Sequence, residues 1–228
     1  MQKSKPISEV LEKNQQAIQP LMRLGVKPGD IVEMDFTSNN ASLKNLDVSD
    51  TGQFVKYMES LLEDYKKIGV GGYGEDRWIY RRSTLFDGEK ESRSIHLGVD
   101  IWVPDGTKVY APLDATVHSF DNNDNYGDYG ATIILTHRLD GVEFHTLYGH
   151  LGTSSLDGLY KGKEINGGSA FASVGPPEEN GHWPPHLHFQ LIADMLGREG
   201  DFFGVAPPSE KQFFMDLCPN PGWLMQIV

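Results

Sequence analysis

The sequence predicts a mainly β fold of the β-rich α+β kind, with a mixed helical N-terminal segment. From about Ser92 onward, short runs of Val, Ile, Thr, Tyr and Phe are separated by Gly, Pro, Asn and Asp, a pattern typical of antiparallel strands. Before about residue 85, helical spacing and strand-like alternation are mixed. We therefore expect an N-terminal segment over residues 1–85 and a β-rich domain over residues 86–228.

The N-terminal segment is predicted to contain two helices and a strand. An apolar stripe over residues 7–22 indicates the first helix, which Pro20 shortens. Residues 54–65 have helical spacing, with Asp50 as a candidate N-cap and a glycine-rich stretch after them. Between these helices, residues 30–36 alternate polar and apolar side chains, which predicts a half-buried strand.

The second half contains a clear hairpin signal. Asp140-Gly141 separates two β-rich runs at 131–137 and 142–148, and Asp-Gly is a preferred two-residue hairpin turn. Residues 122–130 are polar and rich in glycine, so we expect an exposed loop there.

Composition and charge exclude several functions. The 228 residues include 32 acidic and 20 basic side chains, and a net charge of −12 repels nucleic acids. A single cysteine, Cys218, excludes an internal disulfide and a cysteine zinc site. The sequence shows no signal-peptide core in residues 1–26 and no membrane-spanning run, so we expect a cytoplasmic location, or an exported protein if a leader was removed.

The first candidate site motif is His96-x3-Asp100. In a straight strand the two Cα atoms would lie about 13 Å apart at ~3.3 Å per residue, too far for easy convergence. A bend is needed, and Gly98 between them permits one. By itself, a surface His and Asp beside a turn explains this motif as well.

Two further motifs contribute histidines. His186 and His188 are two apart on a predicted strand, so both side chains point to the same face, and the prolines before them place the pair near the strand entrance. His150 follows Gly149 at the end of the second hairpin strand. A solvated strand face explains the pair as easily, and a loop position explains His150.

Together, the three motifs supply four imidazoles and one carboxylate. Two imidazoles and a carboxylate are a suitable set of protein ligands for zinc, and they leave one coordination position open. An open position is what a catalytic metal requires.

The ordered motifs His96-x3-Asp100, residues 148–151 (YGHL) and residues 185–189 (PHLHF) resemble the lysostaphin-type zinc endopeptidases. Members of this family mostly cut peptide bridges or stems of bacterial peptidoglycan. The similarity covers about residues 90–195. It implies packed antiparallel sheets, a site in a groove between loops, and a zinc metallopeptidase-like domain at residues 86–228.

The resemblance also implies roles for individual residues. His96, Asp100 and His188 would bind one zinc ion per chain. His150 and His186 would be catalytic, one as general base and the other as hydrogen-bond donor to the developing oxyanion. Which histidine has which role is left open.

Some residues near the motifs lie outside this assignment. Position 190 is Gln where many relatives carry Glu, so a carboxylate that would support the neighbouring ligand is absent. Nearby aromatic and basic residues are candidates for substrate contact: His182, Trp183, Tyr126 and Arg77. An exposed loop explains His182 as well, and charge balance explains Arg77.

The sequence thus predicts a zinc metalloendopeptidase-like hydrolase acting on a peptidoglycan-type or other peptide. The alternatives are a zinc hydrolase of a small cytoplasmic amide and a non-catalytic, metal-stabilised binding module. The presence of all five site positions favours an enzyme over a binding module. The oligomeric state is left open.

Overall fold

A computed structural model describes residues 6–88 and 90–228 of the chain. In this part of the chain the α-helices are α1 (Ile7–Lys13), α2 (Thr51–Leu61) and α3 (Lys211–Leu217). The strands before the hairpin are β1 (Ile31–Glu33), β2 (Ile68–Gly71), β3 (Ile95–His96), β4 (Val99–Trp102), β5 (Lys108–Tyr110) and β6 (Ala115–Asn123). The remaining strands are β7 (Gly130–Leu139), β8 (Val142–Leu151), β9 (Glu164–Ile165), β10 (Ala170–Ser173), β11 (His186–Ile192) and β12 (Val205–Ala206).

The N-terminal elements occur where the sequence predicts them, but they are shorter. Helix α2 begins after Asp50, whose side chain accepts a hydrogen bond from the Gln53 backbone N–H at 3.0 Å, so the predicted N-cap is confirmed. Helix α1 occupies only the first half of its apolar stripe, and β1 covers three residues of the predicted strand. Short 3-10 turns and extended chain fill the rest.

Eight strands form one sheet in the order β1-β2-β4-β11-β8-β7-β6-β9. All neighbouring pairs in it are antiparallel except β1 and β2. Two small antiparallel sheets, β10-β5 and β12-β3, accompany it. The prediction of a mainly β fold with antiparallel sheets is confirmed.

The predicted hairpin is also confirmed. Strands β7 and β8 are joined by Asp140 and Gly141, whose φ angles are +49° and +79°. A two-residue loop with both φ values positive matches the twist of the flanking strands. This long hairpin carries His150 to the end of β8 that lies beside β11.

Strand order places the three site motifs next to one another. Strand β11 lies between β4 and β8, with His188 opposite both Asp100 and Gly149. Residues 97–98 interrupt the extended chain between β3 and β4, so the bend predicted near Gly98 is present. Motifs that lie up to 92 residues apart in sequence therefore share one region of the sheet.

The N-terminal segment extends the sheet that carries these motifs. Strand β2 pairs with β4, with Gly71 opposite Asp100. A second apolar cluster also joins the two parts, since Phe54 of α2 packs against both Trp102 and Trp183. The division of the chain at residues 85/86 stays a prediction. Among the described residues, none of the helices has the length and apolar content to cross a lipid bilayer.

Candidate metal centre

The side chains of His96, Asp100 and His188 meet in a buried position. Nε2 of His96 lies 2.9 Å from Nδ1 of His188 and 3.3 Å from Oδ1 of Asp100. Nδ1 of His188 lies 3.1 Å from the same Oδ1 atom. Each side chain therefore turns one donor atom toward a common point, and each is less than 5% exposed.

This donor set fits a zinc ion. Tetrahedral bonds of about 2.0–2.1 Å put neighbouring ligand atoms about 3.3 Å apart, close to the separations seen here. The ring nitrogens that face away are engaged: Nδ1 of His96 lies 3.3 Å from the Gly72 carbonyl oxygen, and Nε2 of His188 lies 2.9 Å from Oε1 of Gln190. Both acceptors favour the tautomer whose lone pair faces the common point.

The electrostatics keep His96 and Asp100 ready to bind a cation. Burial, together with the nearby Arg77 guanidinium, lowers the pKa of His96 to about 3. Burial alone would raise the pKa of Asp100, but His96 and Arg77 hold it well below its usual range. At neutral pH this imidazole is neutral and this carboxylate is ionised, as metal ligands must be.

His150 and His186 lie beside these three candidate ligands. Their ring centroids are 4.2 Å apart, and the His186 ring stacks on Trp102 at 4.0 Å. In each case Nδ1 lies 2.8 Å from a backbone carbonyl oxygen, that of Asn180 for His150 and that of Pro184 for His186. Each Nδ1–H therefore donates outward, which leaves both Nε2 atoms as acceptors.

Both histidines are neutral at physiological pH. Burial lowers the pKa of His186 to about 4, although Asp100 opposes this change. Burial, and then the neighbouring His186, lower the pKa of His150 well below its usual range. A neutral imidazole with a free Nε2 can accept a proton and return it.

The backbone at His150 is in an unusual conformation. Its φ is +61°, in the left-handed region that non-glycine residues rarely occupy. Its N–H donates to the Tyr129 carbonyl oxygen at 2.7 Å, and its own carbonyl accepts from Gly175 N–H at 2.9 Å. These two bonds hold a residue whose conformation is typical of functional positions.

A cavity of about 160 Å³ opens onto this group of side chains. Asp100, His150, His186 and His188 line it, together with Trp183, which is 3% exposed. Other apolar lining residues come from two regions of the chain, Ile79, Tyr80, Leu85 and Phe86 before the site motifs and Phe202, Phe203 and Val205 after them.

Two predicted substrate contacts are placed elsewhere. Among the described residues, neither Tyr126 nor His182 lines this cavity. The Tyr126 hydroxyl donates to the Ser49 carbonyl oxygen at 2.6 Å, and its ring lies 5.6 Å from that of His182. Tyr126 thus joins the loop at 122–130 to the N-terminal segment, and the His182 carbonyl oxygen accepts a hydrogen bond from Thr51 Oγ1 at 3.1 Å.

Residues 94–198, which contain all five site positions, match the family model described as Peptidase family M23. These residues form a Peptidase family M23 domain. The family resemblance expected from the sequence motifs is confirmed over this range.

Curated relatives of the M23 domain are bacterial. Over 149 residues the chain is 31% identical to proteins named DD-carboxypeptidase/endopeptidase Mpg, from Neisseria meningitidis serogroup B and from Neisseria gonorrhoeae. The aligned region is 62% of this chain and 31% of the relative. The chain therefore spans about a third of the length of the curated relatives it matches.

Three solved structures illustrate the partial structural overlap. The catalytic domain of lysostaphin from Staphylococcus simulans is 23% identical with a TM-score of 0.36, over 53% of this chain and 80% of that one. LytU is 26% identical with a TM-score of 0.36, over 59% of this chain and 77% of that one. A zinc containing peptidase from Vibrio cholerae is 27% identical with a TM-score of 0.35, over 46% of this chain and 29% of that one.

Arg77 lies before the M23 match and contacts one of the candidate ligands. It is 2% exposed, its Nη1 forms an ion pair with Oδ2 of Asp100, and its Nε donates to Glu75 Oε2 at 2.8 Å. Sequence reasoning placed Arg77 near a substrate carboxylate. In the structure its carboxylate partners are supplied by the chain itself, and contact with substrate stays a prediction.

Two other residues lie beside the candidate ligands: Tyr129 was not predicted from the sequence, and for Gln190 only the absence of a carboxylate was noted. Tyr129 packs its ring 5.1 Å from that of His188 and 5.7 Å from that of His150. Gln190 supplies the acceptor for His188. Gln190 lies two residues after His188 on a strand, so both side chains point to the same face, and this spacing could have predicted their contact. No sequence signal marked Tyr129, which lies in a loop predicted to be exposed.

Proposed function

We propose that this chain is a zinc-dependent metallopeptidase that hydrolyses an amide bond in a peptide. The convergence of Nε2 of His96, Oδ1 of Asp100 and Nδ1 of His188 within 3.3 Å of one another carries the proposal. These residues would hold one zinc ion per chain. When bound, zinc supplies a Lewis acid that activates water and polarises the scissile carbonyl.

The two neighbouring histidines would move protons during the reaction. His150 and His186 both line the cavity, each has an unprotonated Nε2 because its Nδ1–H donates to a backbone carbonyl oxygen, and both are neutral because burial lowers their pKa values. One would accept a proton from the attacking water at its Nε2, and the other would donate a hydrogen bond to the developing oxyanion only in its protonated form, since its neutral Nε2 is an acceptor. Because their hydrogen-bonding patterns match, the assignment of the two roles needs experiment.

The named activity of the Neisseria relatives supports a peptidoglycan-type peptide as substrate. A second candidate is a small amide, and the size of the cavity favours it. A volume of about 160 Å³ is close to that of an engineered cavity of about 150 Å³ that binds benzene. Only a short group can enter such a space completely, whereas a longer peptide would also need the second cavity, of about 700 Å³, which shares Arg77, Tyr80, Phe86 and Arg93 with the first. The expected cytoplasmic location stays a prediction.

The test combines metal analysis with a substrate screen. Purified, zinc-loaded protein is incubated with soluble peptidoglycan fragments and, in parallel, with small N-acyl amino acids. We expect about one zinc per chain, with loss of zinc in His188→Ala. We expect His150→Ala and His186→Ala to keep zinc and lose turnover on whichever class is cleaved. His118→Ala serves as control, since His118 lies on β6, outside this site.

The outcomes separate the candidate functions. Zinc retained in full by His188→Ala contradicts the ligand assignment. Stoichiometric zinc with no cleavage of either class, in protein shown to be folded, favours the metal-stabilised binding module. Wild-type turnover in both His150→Ala and His186→Ala would place the proton transfer elsewhere.

A further inference from the structure

We propose that Arg77 positions Asp100 for metal binding by holding one of its carboxylate oxygens, so that only the other faces the metal. The inference rests on the metal centre proposed above and concerns how that centre is built. Arg77 lies outside the matched range of 94–198, so the residues that complete the centre begin before the M23 domain.

The two oxygens of Asp100 have different surroundings. Oδ1 faces the other two ligands, 3.3 Å from Nε2 of His96 and 3.1 Å from Nδ1 of His188. Oδ2 forms the ion pair with Arg77 and lies 3.9 Å from Nε2 of His186. A carboxylate can bind a metal through one oxygen or both, and the Arg77 ion pair leaves one available.

Arg77 is itself held rigidly. Its Nε donates to Glu75 Oε2 at 2.8 Å, and the other Glu75 oxygen accepts a hydrogen bond from the Phe36 backbone N–H at 2.9 Å. The Arg77 backbone N–H donates to the Ser94 carbonyl oxygen at 2.9 Å. A planar guanidinium shared between two carboxylates fixes the direction of both, which a single ammonium group cannot do.

The same short segment also orients a second ligand. The Gly72 carbonyl oxygen lies 3.3 Å from Nδ1 of His96, and the Glu75 carbonyl oxygen accepts from the His96 backbone N–H at 2.9 Å. Residues 72–77 therefore contact two of the three ligands. Charge balance alone would need a cation near Asp100, but it would not need these paired contacts.

The experiment compares wild type with Arg77→Met, Arg77→Lys and a matched control, Arg82→Lys. Arg82 is also a buried arginine of the N-terminal segment, but its polar partners are Tyr126, Thr51 and the His182 carbonyl oxygen rather than a candidate ligand, and its guanidinium lies over the Trp183 ring. Zinc affinity is measured by competition with a chelator. X-ray absorption of the zinc-loaded proteins reports how many oxygen atoms coordinate the ion, and circular dichroism of the metal-free proteins reports folding.

We expect Arg77→Met to weaken zinc binding by about 10–100-fold, the usual effect of removing a group that orients a ligand. Arg77→Lys should recover part of the affinity, and its zinc should gain a second carboxylate oxygen. Arg82→Lys should match wild type in both measurements. If Arg77→Met does not fold, Arg77→Lys decides, because it retains the charge that Asp100 needs.

Three results would overturn the inference. The first is wild-type zinc affinity and zinc coordination in the folded Arg77 variants. This result would contradict the role of Arg77 but not the proposed metal centre. The second is an equal loss in Arg82→Lys, which assigns the effect to buried arginines in general. The third is wild-type protein that binds no zinc, which overturns the proposed function as well.

Discussion

The side-chain oxygen of Gln190 lies 2.9 Å from Nε2 of His188, and the amide nitrogen donates to the Phe203 carbonyl oxygen at 2.9 Å and to Cys218 Sγ at 3.2 Å. Because the nitrogen is committed to these two acceptors, the oxygen must accept from His188. The lone pair on Nδ1 of His188 then faces Asp100. Gln190 therefore supplies an acceptor for His188 although it lacks the carboxylate that many relatives carry at this position.

Replacing Gln190 with Glu should destabilise the protein. The carboxylate keeps the contact to His188 but loses both donated hydrogen bonds and faces the Phe203 carbonyl oxygen. A buried acceptor left without its donor costs about 1–3 kcal/mol. Urea unfolding of the metal-free proteins measures this loss, with Gln16→Glu, an exposed position, as the control for added charge. Equal stability of the two variants would contradict this account.

Replacing Gly98 with Ala should weaken metal binding. A Cβ atom at this position would lie 2.6 Å from Cε1 of His188 and 2.8 Å from the Phe189 carbonyl oxygen. Because the backbone oxygen cannot easily move, the His188 ring must, and we expect at least about a tenfold loss of zinc affinity. Gly29→Ala is the control, since a Cβ there meets nothing within 4 Å. Unchanged affinity in Gly98→Ala would show that the strand can adjust.

Much of the site was predictable because short sequence motifs determine the face of a strand to which a side chain points. The period of two places His186 and His188 on one face of β11, and the Asp140-Gly141 turn aligns the hairpin that carries His150. For Gly98, the sequence predicted a bend. The structure adds that its missing side chain leaves room for the His188 ring.

The contacts made by the N-terminal segment could not be predicted in this way. The pairing of β2 with β4 and the ion pair of Arg77 with Asp100 join residues 23 or more positions apart, and neither leaves a periodic pattern. The hydrogen bond from the Tyr126 hydroxyl to the Ser49 carbonyl oxygen was likewise not predictable, and substrate contact by Tyr126 stays a prediction.

Acid should destabilise the metal-free protein partly through His137, which lies outside the metal centre. Burial lowers its pKa to about 4, while Nδ1 contacts the Asp114 carbonyl oxygen at 3.1 Å and Nε2 contacts Thr146 Oγ1 at 2.7 Å. Between about pH 6.5 and pH 4 the unfolded chain binds a proton that the folded chain does not, so stability falls as pH falls.

The contribution of His137 to this loss is about 3 kcal/mol, at about 1.4 kcal/mol per pKa unit. His137→Gln keeps a polar side chain at this position and removes the titration. Unfolding free energies measured between pH 7.5 and pH 4 should therefore fall less steeply in the variant than in wild type. Parallel curves would show that His137 does not remain neutral in the folded protein.

A fragment of residues 86–228 should not fold into a metal-binding domain by itself. Without β2, the edge of β4 that pairs with Gly69 and Gly71 is exposed, and an unpaired strand edge favours aggregation. Deleting the segment also removes Phe54, which packs against Trp102 and Trp183.

The truncation also affects the metal centre directly, because it removes Arg77 and the Gly72 carbonyl oxygen. We expect poor solubility, a loss of β-sheet signal in circular dichroism and less than one zinc per chain, measured beside the full chain under the same conditions. A soluble, folded fragment with a full complement of zinc would instead support two independent units divided at residues 85/86. It would also mean that Asp100 is held by β4 and β11 alone.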